Sequence, residues 1–326
     1  MHPNSIRILS LLPVLAVLVA LPAVAAEQAD AARCLGQRAT IFGSKNANRI
    51  KGTKRRDVIA ARGGNDVIIL GGHGNSGGRD VVCAGRGRDR VIGSDTKEKL
   101  VGGRGSDYLE GDLGNDLLVG DQFNPFGDAM DPVGKDTLSG GGGRDRIIGD
   151  NFGSGDAAGG RHDEVCPNRR GNGGGLWNAD KIIGDSAVMG AGTARGGGND
   201  HLCGEAGADL VVGDSYSPSG RARGGGKDAL NGGGKSDRIV GDSYTRTGIA
   251  SGSGNDRVHG LWGNDFLYGD NFASSRFGEV KGGGRDTVTG DDGNDRLTGG
   301  PRTDICAGGT GRDVARRGCE HKLQIP

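Results

Sequence analysis

The sequence predicts an all-β fold, a parallel β-roll or β-solenoid built from Gly/Asp-rich nonapeptide repeats. Three observations carry this. Glycine supplies 69 of the 326 residues, about three times the usual share. Aspartate recurs at nine-residue spacing, with an aliphatic residue two places after it. Aromatic residues make up only 4 % and hydrophobic residues 33 %, which offers little to fill a large conventional core. Collagen needs glycine at every third position and abundant proline, and the chain has nine prolines. Disorder or a turn-rich repeat remains, and the regular spacing selects the repeat.

Residues 1–26 come first. Arg7 precedes an apolar run over residues 8–21, interrupted by Ser10 and Pro13, and "AVA" at 23–25 or "VAA" at 24–26 follows. This order predicts a cleaved secretory signal peptide and a protein that is secreted or held at the cell surface. Pro13, Pro22 and the small residues at its end argue against a membrane anchor, and no second apolar stretch is long enough to span a bilayer. The six cysteines all follow this segment, and an even number in an exported chain favours disulfides. No CxxC spacing occurs, so a zinc site is not expected. Acidic and basic residues balance at 41 each, giving no general attraction to nucleic acid or anionic membrane. "KRR" at 54–56 and "NRR" at 168–170 read as solvated faces.

Residues 27–49 read as an N-terminal cap, with "CLGQRATIFGS" at 34–44, and residues 50–303 as the repeat array. "RGSDYLEGD" runs into "LGNDLLVGD", and "AGADLVVGD" and "WGNDFLYGD" obey the same rule. The triplet after each Asp, x-U-x with U aliphatic, is a minimal strand with one residue facing inward. The glycines before it supply turns with positive φ or close backbone approach. Two units make one coil, and stacked coils bury a narrow ladder that includes Ile59, Leu109, Leu118, Leu230 and Leu267, weakening at the end to Cys306 and Ala315. Apolar burial on one ladder is too little to offset backbone entropy, so something must hold the turns.

The candidates are Asp57, Asp66, Asp80, Asp89, Asp107, Asp116, Asp136, Asp145, Asp200, Asp209, Asp228, Asp237, Asp256, Asp265, Asp286, Asp295 and Asp304. Stacked at strand spacing, about 4.8 Å, they would repel one another. Lined with carboxylate and turn carbonyl oxygens, the same rows suit several Ca²⁺ ions, which take 6–8 oxygens; Mg²⁺ keeps its waters and fits less well.

The pattern resembles the RTX, or hemolysin-type, calcium-binding nonapeptide repeat, G-G-x-G-x-D-x-U-x, over roughly residues 50 to 315. The resemblance implies a parallel β-roll that orders when calcium binds. It also implies that Asp107, Asp116, Asp228, Asp237, Asp256, Asp265, Asp286 and Asp295 are ligands, with glycine carbonyls beside them. Two features depart from the family. Arg79, Arg88, Arg144, Lys227 and Arg285 stand just before ladder aspartates, where they either weaken calcium affinity or point to solvent. The export signal is N-terminal, unlike the C-terminal signal typical of RTX toxins.

A longer rhythm overlies the nonapeptide. Gly-Asp dipeptides at Asp121, Asp150, Asp185, Asp214, Asp242 and Asp270 are 29, 35, 29, 28 and 28 residues apart. Phe123, Phe152, Tyr216, Tyr244 and Phe272 follow two places later, with Ala187 the exception. The extra residues either loop out of the turns or form a degenerate half-coil, as G-x-U-x-G runs such as "GRARG" suggest. A Cys166–Cys203 disulfide supports looping out, since a half-coil need not make these rungs neighbours, and free thiols at both would weaken it. Residues 304–326 read as a C-terminal cap with Cys306 and Cys319 paired, which leaves Cys34 for Cys83 by elimination.

No catalytic residue is expected. "GHGNSG" at 72–77 and "GNSGG" at 74–78 arise by chance in so glycine-rich a chain, and they lack the helix or strand–elbow context their motifs require. "GGGKSD" at 232–237 has Ala229 where a P-loop needs its first glycine. HExxH and the EF-hand are absent, and His73, His162, His201 and His259 are scattered. The functional expectation is an exported calcium-binding protein with a structural or surface-interaction role. Its partners would be calcium and a cell-surface polysaccharide or protein. The alternatives are a carbohydrate- or cell-wall-binding module, or a hydrolase, using insert-loop aromatics such as Tyr216, Tyr244 and Phe272.

Overall fold

The computed structural model describes residues 33–71, 78–166 and 178–325, and among these there are strands and turns but no helix. The signal segment, "NRR" and "GHGNSG" lie outside the described residues, as does most of "GNSGG". The x-U-x triplets pair in parallel into two long sheets. The front sheet has 12 strands and runs from Ile41–Phe42 to Val314–Ala315. The back sheet has 13 and runs from Arg49–Lys51 to His321–Leu323. Register follows the repeat: Leu118 pairs with Ile147, Ile147 with Ile182, and Leu202 with Leu230. The inward residues of both sheets meet in one core in which Ile59, Leu109, Leu118, Leu202, Leu230 and Leu267 are fully buried.

Coil length changes along the array. Equivalent rungs are 18 residues apart near both ends, as from Asp89 to Asp107 and from Asp286 to Asp304. In the middle they are 28 apart, as from Asp200 to Asp228. The extra residues do not loop out. They build two more parallel sheets, a 6-stranded one from Phe123–Asn124 to Phe272–Ala273 and a 5-stranded one from Ala157–Ala158 to Glu279–Gly282. The half-coil reading is therefore the correct one. Its inward residues Ala157, Ala194, Ala222 and Ala250 are completely buried, while Val280 at the last wide coil is exposed.

The inserted half-coil packs on what would otherwise be solvent-facing positions of the front sheet. Val119, Ile148, Ile183, Val212 and Val240 form a second core beneath Phe123, Phe152, Tyr216 and Tyr244. The rings stack between coils, Phe123 on Phe152 at 5.0 Å and Tyr216 on Tyr244 at 5.4 Å, close to the favoured aromatic spacing. Where Ala187 interrupts the stack, Lys181 Nζ lies 2.9 Å from the Tyr216 centroid. Tyr216 and Tyr244 are thus buried core residues. The buried rings of Tyr216 and Tyr244 offer no surface to a carbohydrate or a substrate, while Phe272 at the end of the row is partly exposed.

Disulfides join Cys34 to Cys83, Cys166 to Cys203 and Cys306 to Cys319. Cys166 and Cys203 follow the paired residues Val165 and Leu202 on adjacent back-sheet strands, with Cα atoms 4.8 Å apart. From the sequence this bond supports looped-out inserts, yet it forms beside half-coils, because lengthening every central coil keeps successive rungs stacked. At the N-terminus an antiparallel hairpin, Arg33–Cys34 with Gln37–Arg38, precedes the first front strand. At the C-terminus Glu320 takes the ladder position, accepting the Asp304 amide at 2.9 Å.

Candidate metal centre

The ladder aspartates stand at the strand entries in two files, one for each sheet. Asp57, Asp80, Asp116, Asp145, Asp209, Asp237, Asp265 and Asp295 enter front strands, and Asp66, Asp89, Asp107, Asp136, Asp200, Asp228, Asp256, Asp286 and Asp304 enter back strands. All are at most 4 % exposed. One contact repeats along both files: the amide of most of these aspartates donates to Oδ1 of the aspartate one coil later. Asp107 N reaches Asp136 Oδ1 at 2.7 Å, Asp200 N reaches Asp228 at 2.7 Å, and Asp237 N reaches Asp265 at 2.8 Å. The carboxylates therefore link the coils, and the parallel register places each one over the next.

The other oxygen is unused. Oδ2 of every one of these aspartates except Asp57 is buried without a hydrogen-bond partner. Buried polar atoms are normally satisfied, so a repeated orphan marks a position suited to a ligand. Asp57 differs because Thr53 N and Thr53 Oγ1 cap its carboxylate at 2.6 and 3.2 Å. It ends its file as a capped rung and presents no free oxygen of this kind.

The surroundings of the orphan atoms are oxygen-rich. A Cβ built on Gly260 would lie 2.5 Å from Asp265 Oδ2 and 2.6 Å from the Gly290 carbonyl of the next coil. One on Gly102 would lie 2.6 Å from Asp107 Oδ2 and 2.3 Å from the Gly120 carbonyl. Only glycine leaves these clefts open, which is the physical reason for the first glycine of the repeat. "GGGKSD" belongs to this pattern, since Gly232 faces Asp237 Oδ2 and the Gly260 carbonyl. The carboxyls are also costly to ionise as they stand. Burial raises Asp107 and Asp209 to about 7 and Asp145 to about 6, partly offset by the backbone amides they accept. Buried carboxylate oxygens beside carbonyls, with no amine or thiol donor among them, fit a hard divalent cation. Such an ion would supply the charge that the file lacks and tie one coil to the next.

The cations that precede ladder aspartates do not enter these clefts. Arg79, Arg88, Arg144, Lys227 and Arg285 are exposed. Several of their amides rest on an outer asparagine ladder, as Arg144 N does on Asn115 Oδ1 at 2.7 Å. Cys166, His201 and Cys203 lie close together, but both sulfurs are committed to a disulfide. The files also contain members beyond the candidate ligands named above. Asp163 and Asp180 occupy ladder positions, as does Glu98, whose amide donates to Asp116 Oδ1. A residue two places before a buried aliphatic was the signal for each. Asp313 closes the front file with its own orphan Oδ2.

A parallel roll whose turns carry files of half-satisfied carboxylates defines a class, the cation-stabilised β-roll. The RTX calcium-binding nonapeptide repeat model matches residues 42–72, 92–126, 133–152, 196–215, 249–273 and 282–315, about half of the chain. The chain belongs to this family, and it is a calcium-binding repeat protein. No curated protein matches it.

Proposed function

We propose that this is an exported structural protein whose roll is ordered by calcium outside the cell, with ladder Oδ2 atoms and first-position glycine carbonyls as ligands. The orphaned Oδ2 file carries this reading. The three disulfides support export, because such bonds persist in oxidising compartments. Calcium calorimetry on residues 27–326 tests it. Several ions should bind, and Asp237→Asn and Asp265→Asn should each lower the number of ions bound. An unchanged isotherm in both variants would remove the ladder from the site.

A surface-interaction role is favoured by a cavity of about 770 Å³. Lys97, Lys99, Arg144, Arg146 and Arg238 line it together with ladder aspartates of the front file. Calcium on those aspartates would cancel their charge and leave the cations in excess, a surface suited to an acidic polysaccharide. Co-sedimentation with such a polymer should then require calcium and weaken with salt. Retention that is equal with chelator would count against this role.

A further inference from the structure

The Gly-Asp aspartates of the wide coils are not ladder residues, yet Asp121, Asp150, Asp185, Asp214 and Asp242 are completely buried and Asp270 is 4 % exposed. Their role follows from where the insert enters. It splits the turn before each back-sheet rung, so that the turn's opening glycine is followed at once by this aspartate. The carboxylate then reaches across the insert to the amide where the turn resumes. Asp121 accepts from Gly134 at 3.0 Å, Asp185 from Gly198 at 3.0 Å, Asp242 from Gly254 at 2.7 Å and Asp270 from Gly284. Each interrupted turn thereby holds two buried carboxylates where an uninterrupted turn holds one.

The arrangement is fullest where the last wide coil meets the narrow ones. Asp270, Asp286 and Asp304 each place one oxygen within 4.8 Å of the others. Each has one oxygen already in use: Asp270 Oδ1 takes the Gly284 amide, Asp286 Oδ1 the Asp256 amide, and Asp304 Oδ1 the Asp286 amide. The remaining Oδ2 atoms are buried and unpartnered in all three. Glycine keeps the space open, since a Cβ on Gly300 would lie 1.9 Å from Asp270 Oδ2 and one on Gly299 2.5 Å from Asp304 Oδ2. A cavity of about 280 Å³, lined by Tyr268, Asp270, Gly300 and Arg317, adjoins the cluster and gives a path of entry.

We propose that Asp270, Asp286 and Asp304 form a three-carboxylate divalent-cation site, distinct in composition from the single-carboxylate nonapeptide turns and tighter for calcium than they are. Affinity of oxygen sites rises with ligand charge. The site rests on the reading of the roll as calcium-bound, and it adds Asp270, which lies outside the nonapeptide pattern. Its test is calcium calorimetry on residues 27–326 as wild type, Asp270→Asn, Asp304→Asn and the front-file control Asp265→Asn, with strand content checked at saturating calcium. The tightest class of site should be lost, or weakened at least tenfold, in both Asp270→Asn and Asp304→Asn and kept in Asp265→Asn. Should Asp270→Asn fail to fold, Asp304→Asn decides, because it leaves the Asp270–Gly284 closure intact. A tightest class unchanged in the folded variants overturns this site alone. A wild type that takes up no calcium overturns the parent reading with it.

Discussion

At neutral pH without calcium, the chain is expected to lose most of its strand structure and to regain it as the pH falls toward about 4. The direction follows from the buried carboxyls. Asp107 moves from 3.8 to about 7 and Asp237 from 3.8 to about 8, chiefly through burial. A carboxyl whose pKa is raised by folding binds more protons in the folded chain than in the unfolded one throughout that interval. Its contribution is intact below the unfolded value and is lost as pH rises through the folded one. Each such group costs on the order of 4 kcal/mol above pH 7, and a few of them match the roughly 5–15 kcal/mol that holds a domain together. Calcium reverses the sign, because a bound cation favours the ionised carboxylate and competes with the proton. Far-ultraviolet circular dichroism between about pH 4 and pH 8 should thus show strand loss at the alkaline end in chelator and none in calcium. Strand content in chelator that is flat or rises with pH would contradict this.

Gly213→Ala is expected to be among the most damaging single substitutions. Its Cβ would sit 1.8 Å from the Gly241 carbonyl and 2.4 Å from Asp228 Oδ2. Neither contact can relax cheaply. The carbonyl belongs to the backbone of the next coil, and Asp228 Oδ1 is held by the Asp200 amide at 2.7 Å. Relief requires the two coils to part, which breaks the amide–carboxylate ladder and closes the cation cleft at once. A loss of about 4 kcal/mol in urea unfolding with calcium present is expected, together with one calcium fewer by calorimetry. Gly190→Ala is the control, since nothing lies within 4 Å of its Cβ, and it should change stability by no more than about 0.5 kcal/mol. Equal effects in the two variants would show that the cleft at Gly213 is not the cause.

The roll itself was legible because it is periodic. Asp265 and Leu267 announce a rung and its inward residue, and a parallel stack can use only one register for them. The ends were harder. Asp57 looks like any other rung, and only the Thr53 cap sets it apart. Glu98 keeps a ladder position that a pattern built on aspartate passes over, with Ser94 and Thr96 hydroxyls on its carboxylate. The inserts could not be placed from the sequence: the Cys166–Cys203 bond points to looped-out residues, yet a half-coil added to every central coil keeps the same two cysteines adjacent. What separates them is packing, namely whether Val212 and Val240 face water or lie under Tyr216 and Tyr244. The Gly-Asp aspartates were visible as a rhythm. Their chemistry was not, because the amide that each one meets lies beyond the insert, 14 residues away for Asp270.

We propose that calcium in the turns holds the roll together. This claim is tested most directly by circular dichroism of residues 27–326 at neutral pH, freed of metal by chelation and titrated with calcium or with magnesium. Parallel-strand signal should rise and saturate with calcium and stay low with magnesium at the same concentrations. A spectrum that is fully β in chelator and indifferent to either ion would contradict the claim and leave the files of aspartate without their proposed role.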